Sequence, residues 1–176
     1  GMTIIVSKGK TILVADTNVQ DFPSAERLVN TSISCVRVAR LFGFEPKVAF
    51  LSHSTFGKPV SRNTKHVRDA IELLRSKKVN FDFDGEMQPD VALNPIYQEV
   101  YPFSKIVGKA NILIMPALHS AAISTKLMKT FGGAKLIGPL LIGLGLPIEV
   151  APLRSSTSDI LNLASVAAYS SDVIDY

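Results

Sequence analysis

Short apolar runs alternate with amphipathic helical patterns along most of this chain, and that alternation calls for helices layered on a sheet. Lys47-Val48-Ala49-Phe50-Leu51 and Asn111-Ile112-Leu113-Ile114-Met115 are too short for helices and carry no polar alternation, so they read as buried strands. A helix is expected from Pro23-Ser24 to Phe42, with Leu28, Val29, Ile33, Val36, Val38, Ala39 and Leu41 inward and Gly43 as its C-terminal cap. A second spans Asn63 to Lys77, burying Val67, Ala70, Ile71 and Leu74. Ile4-Ile5-Val6 and Thr11 to Ala15, joined across Ser7-Lys8-Gly9-Lys10, read as a hairpin that forces an antiparallel edge. Later elements are a strand at Phe81 to Asp84, short helices at Asp90-Leu93 and Pro95-Val100, and a helix from Ser120 to Thr130. Strands within Leu136-Ile142 and Ile148-Val150 then precede a closing helix from Ser158 to Tyr169. Without an internal repeat or long linker, residues 1–176 are expected to form one three-layer α/β/α domain with a mostly parallel mixed sheet.

Composition removes several function classes. The net charge is +4 with a pI near 9.2, yet the cations are scattered on helix faces (Arg37, Arg40, Lys65, Arg68, Arg75, Lys77, Lys78, Lys126, Lys129). With no Trp and no aromatic ladder among them, no nucleic-acid partner is expected. The single cysteine, Cys35, excludes an internal disulfide and reads as a buried small hydrophobe. The longest apolar run, Leu136 to Val150, is interrupted by Gly138, Pro139, Gly143, Gly145 and Pro147, so no membrane span is expected and the compartment reads as cytoplasmic. Gly1 before Met2 reads as a remnant of expression, which implies a natural protein extending further towards its N-terminus.

Asp84-Gly85-Glu86-Met87-Gln88-Pro89-Asp90 places three carboxylates within seven residues. Gly85 is expected to turn the chain out of its strand and Pro89 to open a helix. The cluster then reads equally as ligand chemistry at a sheet edge or as a solvated turn. Ser52, Ser54 and Thr55 leave a strand end where hydroxyls and amides suit a phosphate or a thioester carbonyl, although loops favour such residues anyway. Phe131-Gly132-Gly133-Ala134-Lys135 and Gly143-Leu144-Gly145 lack the spacing of phosphate-binding loops. His53, His66 and His119 share no metal spacing; His66 reads as helix surface, while His119 is placed to face the same edge as Asp84 and Glu86. Before the closing helix, Ser156, Thr157 or Ser158 reads as the cap and Asp159 as a complement to the helix dipole. Arg154 is alternatively placed to fork a phosphate or carboxylate.

From Thr11 to Ala168 the chain resembles the phosphate acetyltransferase-like domain that ends the large bacterial NADP-dependent malic enzymes. The landmarks are Ala15-Asp16-Thr17-Asn18-Val19, Phe42 to Ala49, Ser52 to Gly57, Asp84 to Asp90, Gly108-Lys109-Ala110-Asn111, and Gly132-Gly133-Ala134 to Gly138-Pro139. The resemblance covers the second half of that domain. It implies the isocitrate dehydrogenase-like α/β/α fold, a dimer contact, and an acetyl-CoA or acetyl phosphate cleft between two subdomains. NADP and a divalent metal would belong to malic domains lying outside this chain, which are its implied partners; no cofactor is implied within it.

Two departures stand against the acetyltransferase pattern. Aligned without a gap, the family's Ser-Arg pair falls on Pro152 and Leu153 and its Asp on Asp159, leaving Arg154 one position off. The stretch Pro-Asn-Leu-Asp-Ala-Ala-Asn reads here Pro116-Ala117-Leu118-His119-Ser120-Ala121-Ala122. Losing a cation from an anion site removes transition-state stabilisation. The resemblance therefore implies a non-catalytic regulatory and oligomerisation domain, with Ser52, Ser54, Thr55, Arg154, Ser155 and Asp159 as ligand-binding candidates. A working phosphate acetyltransferase using Arg154 and Asp159, or a purely structural dimerisation module, are the alternatives.

Overall fold

The computed structural model describes residues 1–173. Its six strands are β1 (Met2–Ser7), β2 (Lys10–Ala15), β3 (Lys47–Leu51), β4 (Asp82–Met87), β5 (Ile112–Ile114) and β6 (Lys135–Leu140). They form one sheet in the order β4-β3-β5-β2-β1-β6. The helices are α1 (Ala25–Leu41), α2 (Lys65–Ser76), α3 (Pro89–Leu93), α4 (Leu118–Thr130) and α5 (Thr157–Val173). Strand residues divide by parity between two cores, which is the signature of a sheet covered on both faces. Val48, Phe50, Ile112 and Ile114 join the helices α1, α2 and α5 on one face; Ala49, Leu51, Leu113 and Met115 join α3 and α4 on the other. The expected three-layer α/β/α fold is therefore the observed one.

β2, β3, β4 and β5 run parallel, and β1 is antiparallel to both β2 and β6. The antiparallel strand thus lies inside the sheet rather than at its edge. Met2, Thr3, Ile4 and Ile5 are all buried, so β1 needs a neighbour on each side, and β6 supplies the second. Lys8 and Gly9 both adopt positive φ (49° and 71°), the two-residue turn whose twist matches a hairpin. The strand expected at Ile148-Val150 is reduced to a single bridge between Leu140 and Glu149, in a segment interrupted by Gly143, Gly145 and Pro147.

α1 begins at Ser24, whose side chain accepts from the Arg27 amide at 3.4 Å. It ends where the Gly43 amide bonds the Arg40 carbonyl and the Phe44 amide the Ala39 carbonyl. Cys35 lies on the buried face of this helix, and burial pushes its thiol up to about 12. No helix among the described residues is long and apolar enough to cross a membrane.

The largest correction concerns β4. The strand does not leave the sheet at Gly85 but continues to Met87. The register slips between Phe50↔Gly85 and Leu51↔Met87, so Glu86 is the bulged residue. A Cβ at Gly85 would meet the Phe50 carbonyl oxygen at 2.6 Å, so the glycine allows close passage of two strands rather than a turn. Asp84 and Glu86 are 2% and 1% exposed, which rules out a solvated acidic turn; only Asp90, at the start of α3, faces water.

Candidate functional site

Parallel strands deliver their carboxyl ends to one edge of the sheet, where ligand sites in such folds collect. A cleft of about 500 Å³ opens there between α4, β6 and the segment leading into α5. Its lining includes the Thr3 and Thr17 hydroxyls, hydrogen-bonded to each other at 2.9 Å, and the backbone at Gly138-Pro139. Gly138 (φ 130°) is needed because a Cβ would lie 2.9 Å from the Met2 carbonyl oxygen, where β6 crosses β1. α4 contributes Leu118, Ala122, Thr125, Lys126 and Lys129, and the opposite wall contributes Pro152, Arg154, Ser155, Asp159, Asn162 and Leu163. Lys126, Lys129 and Arg154 are exposed and give the opening a positive field, which favours an anionic ligand.

Asp159 and Ser156 close the start of α5 reciprocally. The Ser156 amide and hydroxyl donate to Asp159 Oδ2 at 2.9 and 2.8 Å, and the Asp159 amide donates to Ser156 Oγ at 3.2 Å. This is the capping box with an aspartate at its third position. The Ser156 amide foremost, then its hydroxyl, hold the Asp159 carboxyl below its usual range, with Lys129 and Lys135 acting in the same direction. Asp159 is therefore ionised at neutral pH. Arg154 lines the cleft, whereas Leu153, at the position of the family arginine in an ungapped alignment, is 107% exposed and does not.

The candidates divide into two groups that the structure keeps apart. Arg154, Ser155 and Asp159 share the cleft wall. Ser52, Ser54 and Thr55 are buried at the end of β3, three strands from β1, roughly 14 Å at the ~4.8 Å spacing of neighbouring strands. Their hydroxyls are engaged internally. Ser54 Oγ donates to Glu86 Oε1 at 2.8 Å and lies 3.1 Å from Ser52 Oγ, while Thr55 Oγ1 accepts from the Gln88 amide at 3.2 Å. Glu86 Oε1 also accepts from the Gly57 amide at 3.2 Å and Arg68 Nη1 at 3.3 Å. Asp84 accepts from Arg75 at 3.3 Å and from the Lys105 amide at 2.8 Å. These carboxylates tie loops to the sheet.

The histidines stay dispersed. His66 is half-buried rather than on the helix surface, with Nε2 2.9 Å from the Pro116 carbonyl oxygen. His119 is exposed with its ring 5.7 Å from that of Phe22. Among the described residues no group of three or more His, Cys, Asp or Glu side chains is placed to hold a metal ion. Lys126 and Lys129, expected only as scattered helix-face cations, and Asn162 were not among the ligand-binding candidates. The signals available were Ala122, Lys126 and Lys129 at helical spacing, and Asn162 three residues after Asp159.

A family model described as phosphate acetyl/butaryl transferase matches residues 1–168. An NADP-dependent malic enzyme of Rhizobium meliloti is 45% identical over 169 residues, covering 96% of this chain and 22% of that protein. The Bacillus subtilis phosphate acetyltransferase is 31% identical over 169 residues, covering 96% of this chain and 52% of its own length. Among solved structures, EutD phosphotransacetylase from Staphylococcus aureus superposes with a TM-score of 0.89 at 29% identity, over 96% of this chain and 53% of that one. The chain thus spans about a fifth of the malic enzyme and about half of the acetyltransferase.

Proposed function

Because the chain belongs to the phosphate acetyl/butaryl transferase family, we propose that it is the C-terminal regulatory and oligomerisation domain of an NADP-dependent malic enzyme. In this reading the oxidative decarboxylation of malate to pyruvate, with its NADP and divalent metal, takes place in domains outside this chain. The cleft binds acetyl-CoA without turning it over, and the protein works in the cytoplasm.

The observation that carries the reading is a cationic cleft in which Asp159, the one carboxylate of the lining among the described residues, is engaged in capping α5. Asp159 is held below its ordinary range by Ser156. Both donors of Ser156 fall on Oδ2 of Asp159, committing that oxygen to the helix cap rather than to an incoming thiol. Lys126, Lys129 and Arg154 nonetheless favour the phosphates of a coenzyme. Signalling to a distant malic site requires that acetyl-CoA bind two global states unequally. Exposed Ile123 and Leu127 on α4 and Phe131 at its C-cap, with Leu146 and Ile148 beyond β6, support a homodimer contact through this domain.

The working-acetyltransferase alternative draws support from Arg154 and Asp159 sharing one wall, where the first would hold the phosphate and the second would act as base. Calorimetry with acetyl-CoA on the full-length protein, beside an assay for acetyl-CoA formed from acetyl phosphate and CoA, separates the readings. Binding without turnover is the expected result. Turnover abolished by Arg154→Ala would establish the acetyltransferase, and absence of binding would leave a structural dimerisation module.

A further inference from the structure

A second cavity, of about 430 Å³, opens at the amino ends of the parallel strands and is lined by Lys10, Thr11, Ile12, Leu93, Lys109 and Ala110. It lies at the opposite edge of the sheet from the cleft: Lys10 and Ala15 are the two ends of β2, roughly 17 Å apart at ~3.3 Å per residue. By alternation, the side chains of Lys10 and Ile12 fall on one face of β2, the face that α3 and α4 cover. Ile12 and Leu93 are only partly buried there, so the helical layer leaves part of the sheet face open. The wall carrying Lys109 is fixed. Lys47 Nζ donates to the Val107 carbonyl oxygen, the Ala110 amide to the Ala92 carbonyl at 2.9 Å, and the Asn111 amide to the Lys47 carbonyl at 3.0 Å.

Three donors face this cavity without a protein partner. Lys10 and Lys109 are exposed, neither enters an ion pair among the described residues, and no Asp or Glu lines the cavity. The third donor is a backbone amide. The Leu13 amide donates to the Asn111 carbonyl at 2.8 Å, so the odd residues of β2 turn their amides away from β1 and towards β5. Thr11 stands before the start of that pairing, and its amide meets no acceptor among the described residues. Two ammonium groups and one amide above Ile12, Leu93 and Ala110 suit an anion with an apolar body. Phosphate is ordinarily met by a run of successive amides or by a guanidinium fork, and neither lines this cavity, whereas a carboxylate needs fewer donors. We infer that the cavity is a binding site for a small aliphatic carboxylate, whose oxygens meet Lys10, Lys109 and the Thr11 amide while its chain lies on Ile12 and Leu93. This site shares no residue with the cleft at the opposite edge, and it stands whether or not that cleft takes acetyl-CoA.

Lysine footprinting of the full-length protein tests this, with an N-hydroxysuccinimide ester as label, peptide mass spectrometry as readout and the exposed Lys78 as internal reference. Pentanoate should protect Lys10 and Lys109 together, and its neutral counterpart pentanamide should protect neither. In Lys109→Gln, a change at an exposed position, the pentanoate concentration that half-protects Lys10 should rise roughly tenfold, the size of one charge-assisted hydrogen bond. An unchanged concentration overturns the inference, because the two lysines would then not share a ligand. Inorganic phosphate that protects both lysines as well as pentanoate does also overturns it, since charge would suffice without the apolar floor. Protection confined to Lys126 and Lys129, or absent everywhere, overturns it too and leaves the reading of the other cleft untouched.

Discussion

Two places in this molecule bring together an acid, a serine and an arginine, with opposite outcomes. At the end of β4, Glu86 meets Ser54 and Arg68 in a buried cluster that ties the loop after β3 to the sheet. At the start of α5, Asp159 meets Ser156 beside Arg154 in a cleft open to solvent. The residue types are the same. In the first site one carboxylate oxygen is matched to an amide, a hydroxyl and a guanidinium, and nothing from outside can reach it. In the second, protein hydrogen bonds fall on one oxygen of Asp159, while Arg154 keeps its charge in water. Burial, rather than composition, divides architecture from binding.

The largest expected effect breaks the buried cluster. Glu86→Ala leaves the Ser54 hydroxyl, the Gly57 amide and the Arg68 guanidinium without their shared acceptor. Removing one member of a fully buried pair costs about 3–5 kcal/mol, and since Arg68 retains 34% exposure of its side chain the loss should be roughly 2–3 kcal/mol. Urea unfolding would show the free energy of unfolding falling by that amount; a change under about 0.5 kcal/mol, ordinary for a surface site, would remove the contrast. A smaller effect is expected at the other site. Ser156→Ala deletes the hydroxyl that caps α5 and should cost about 1 kcal/mol in the same measurement. If it costs as much as Glu86→Ala, the cap is as much a structural keystone as the buried cluster.

The two sites were unequally legible in the sequence for the same reason. The start of α5 is written locally: Ser156 and Asp159 stand three apart before an apolar helical pattern, and each is the other's partner. The partners of Glu86 are 18 and 32 residues away, at Arg68 and Ser54, brought to it by the packing of α2 against β4 and by the pairing of β3 with β4. Asp84 and Glu86 could be read as part of a solvated turn because carboxylates rarely lie inside. Their burial depends on loops arriving from elsewhere, including Lys105, whose amide donates to Asp84. The strands β3 and β5 were readable because a strand covered on both faces has to be apolar throughout. The sheet position of β1 was not, since its second partner, β6, lies more than a hundred residues downstream.

The smallest handle on the contrast is pH, because open carboxylates report their surroundings as they titrate. Hydrogen bonds from Ser156 lower the Asp159 value, so its contribution to stability is present above the unfolded value of 3.8 and is lost as pH falls through the folded one. Glu149, beyond β6, is the opposite case: burial raises its value from 4.5 to about 7, against the Leu141 amide, which donates to it at 3.3 Å and lowers it. Below 4.5 the group is neutral in both states and imposes nothing. Between 4.5 and about 7 the unfolded chain releases a proton that the folded chain keeps, so stability falls as pH rises, and the full penalty applies above 7. Glu149 is only half-buried, so solvent screening keeps the slope shallow. Glu149→Gln should flatten the stability profile between pH 5 and 7 without touching the loss on the acid side, which belongs in part to Asp159. A profile that keeps its slope in Glu149→Gln would assign that titration to another group, and the bridge from Leu140 to Glu149 would then carry no proton-linked stability.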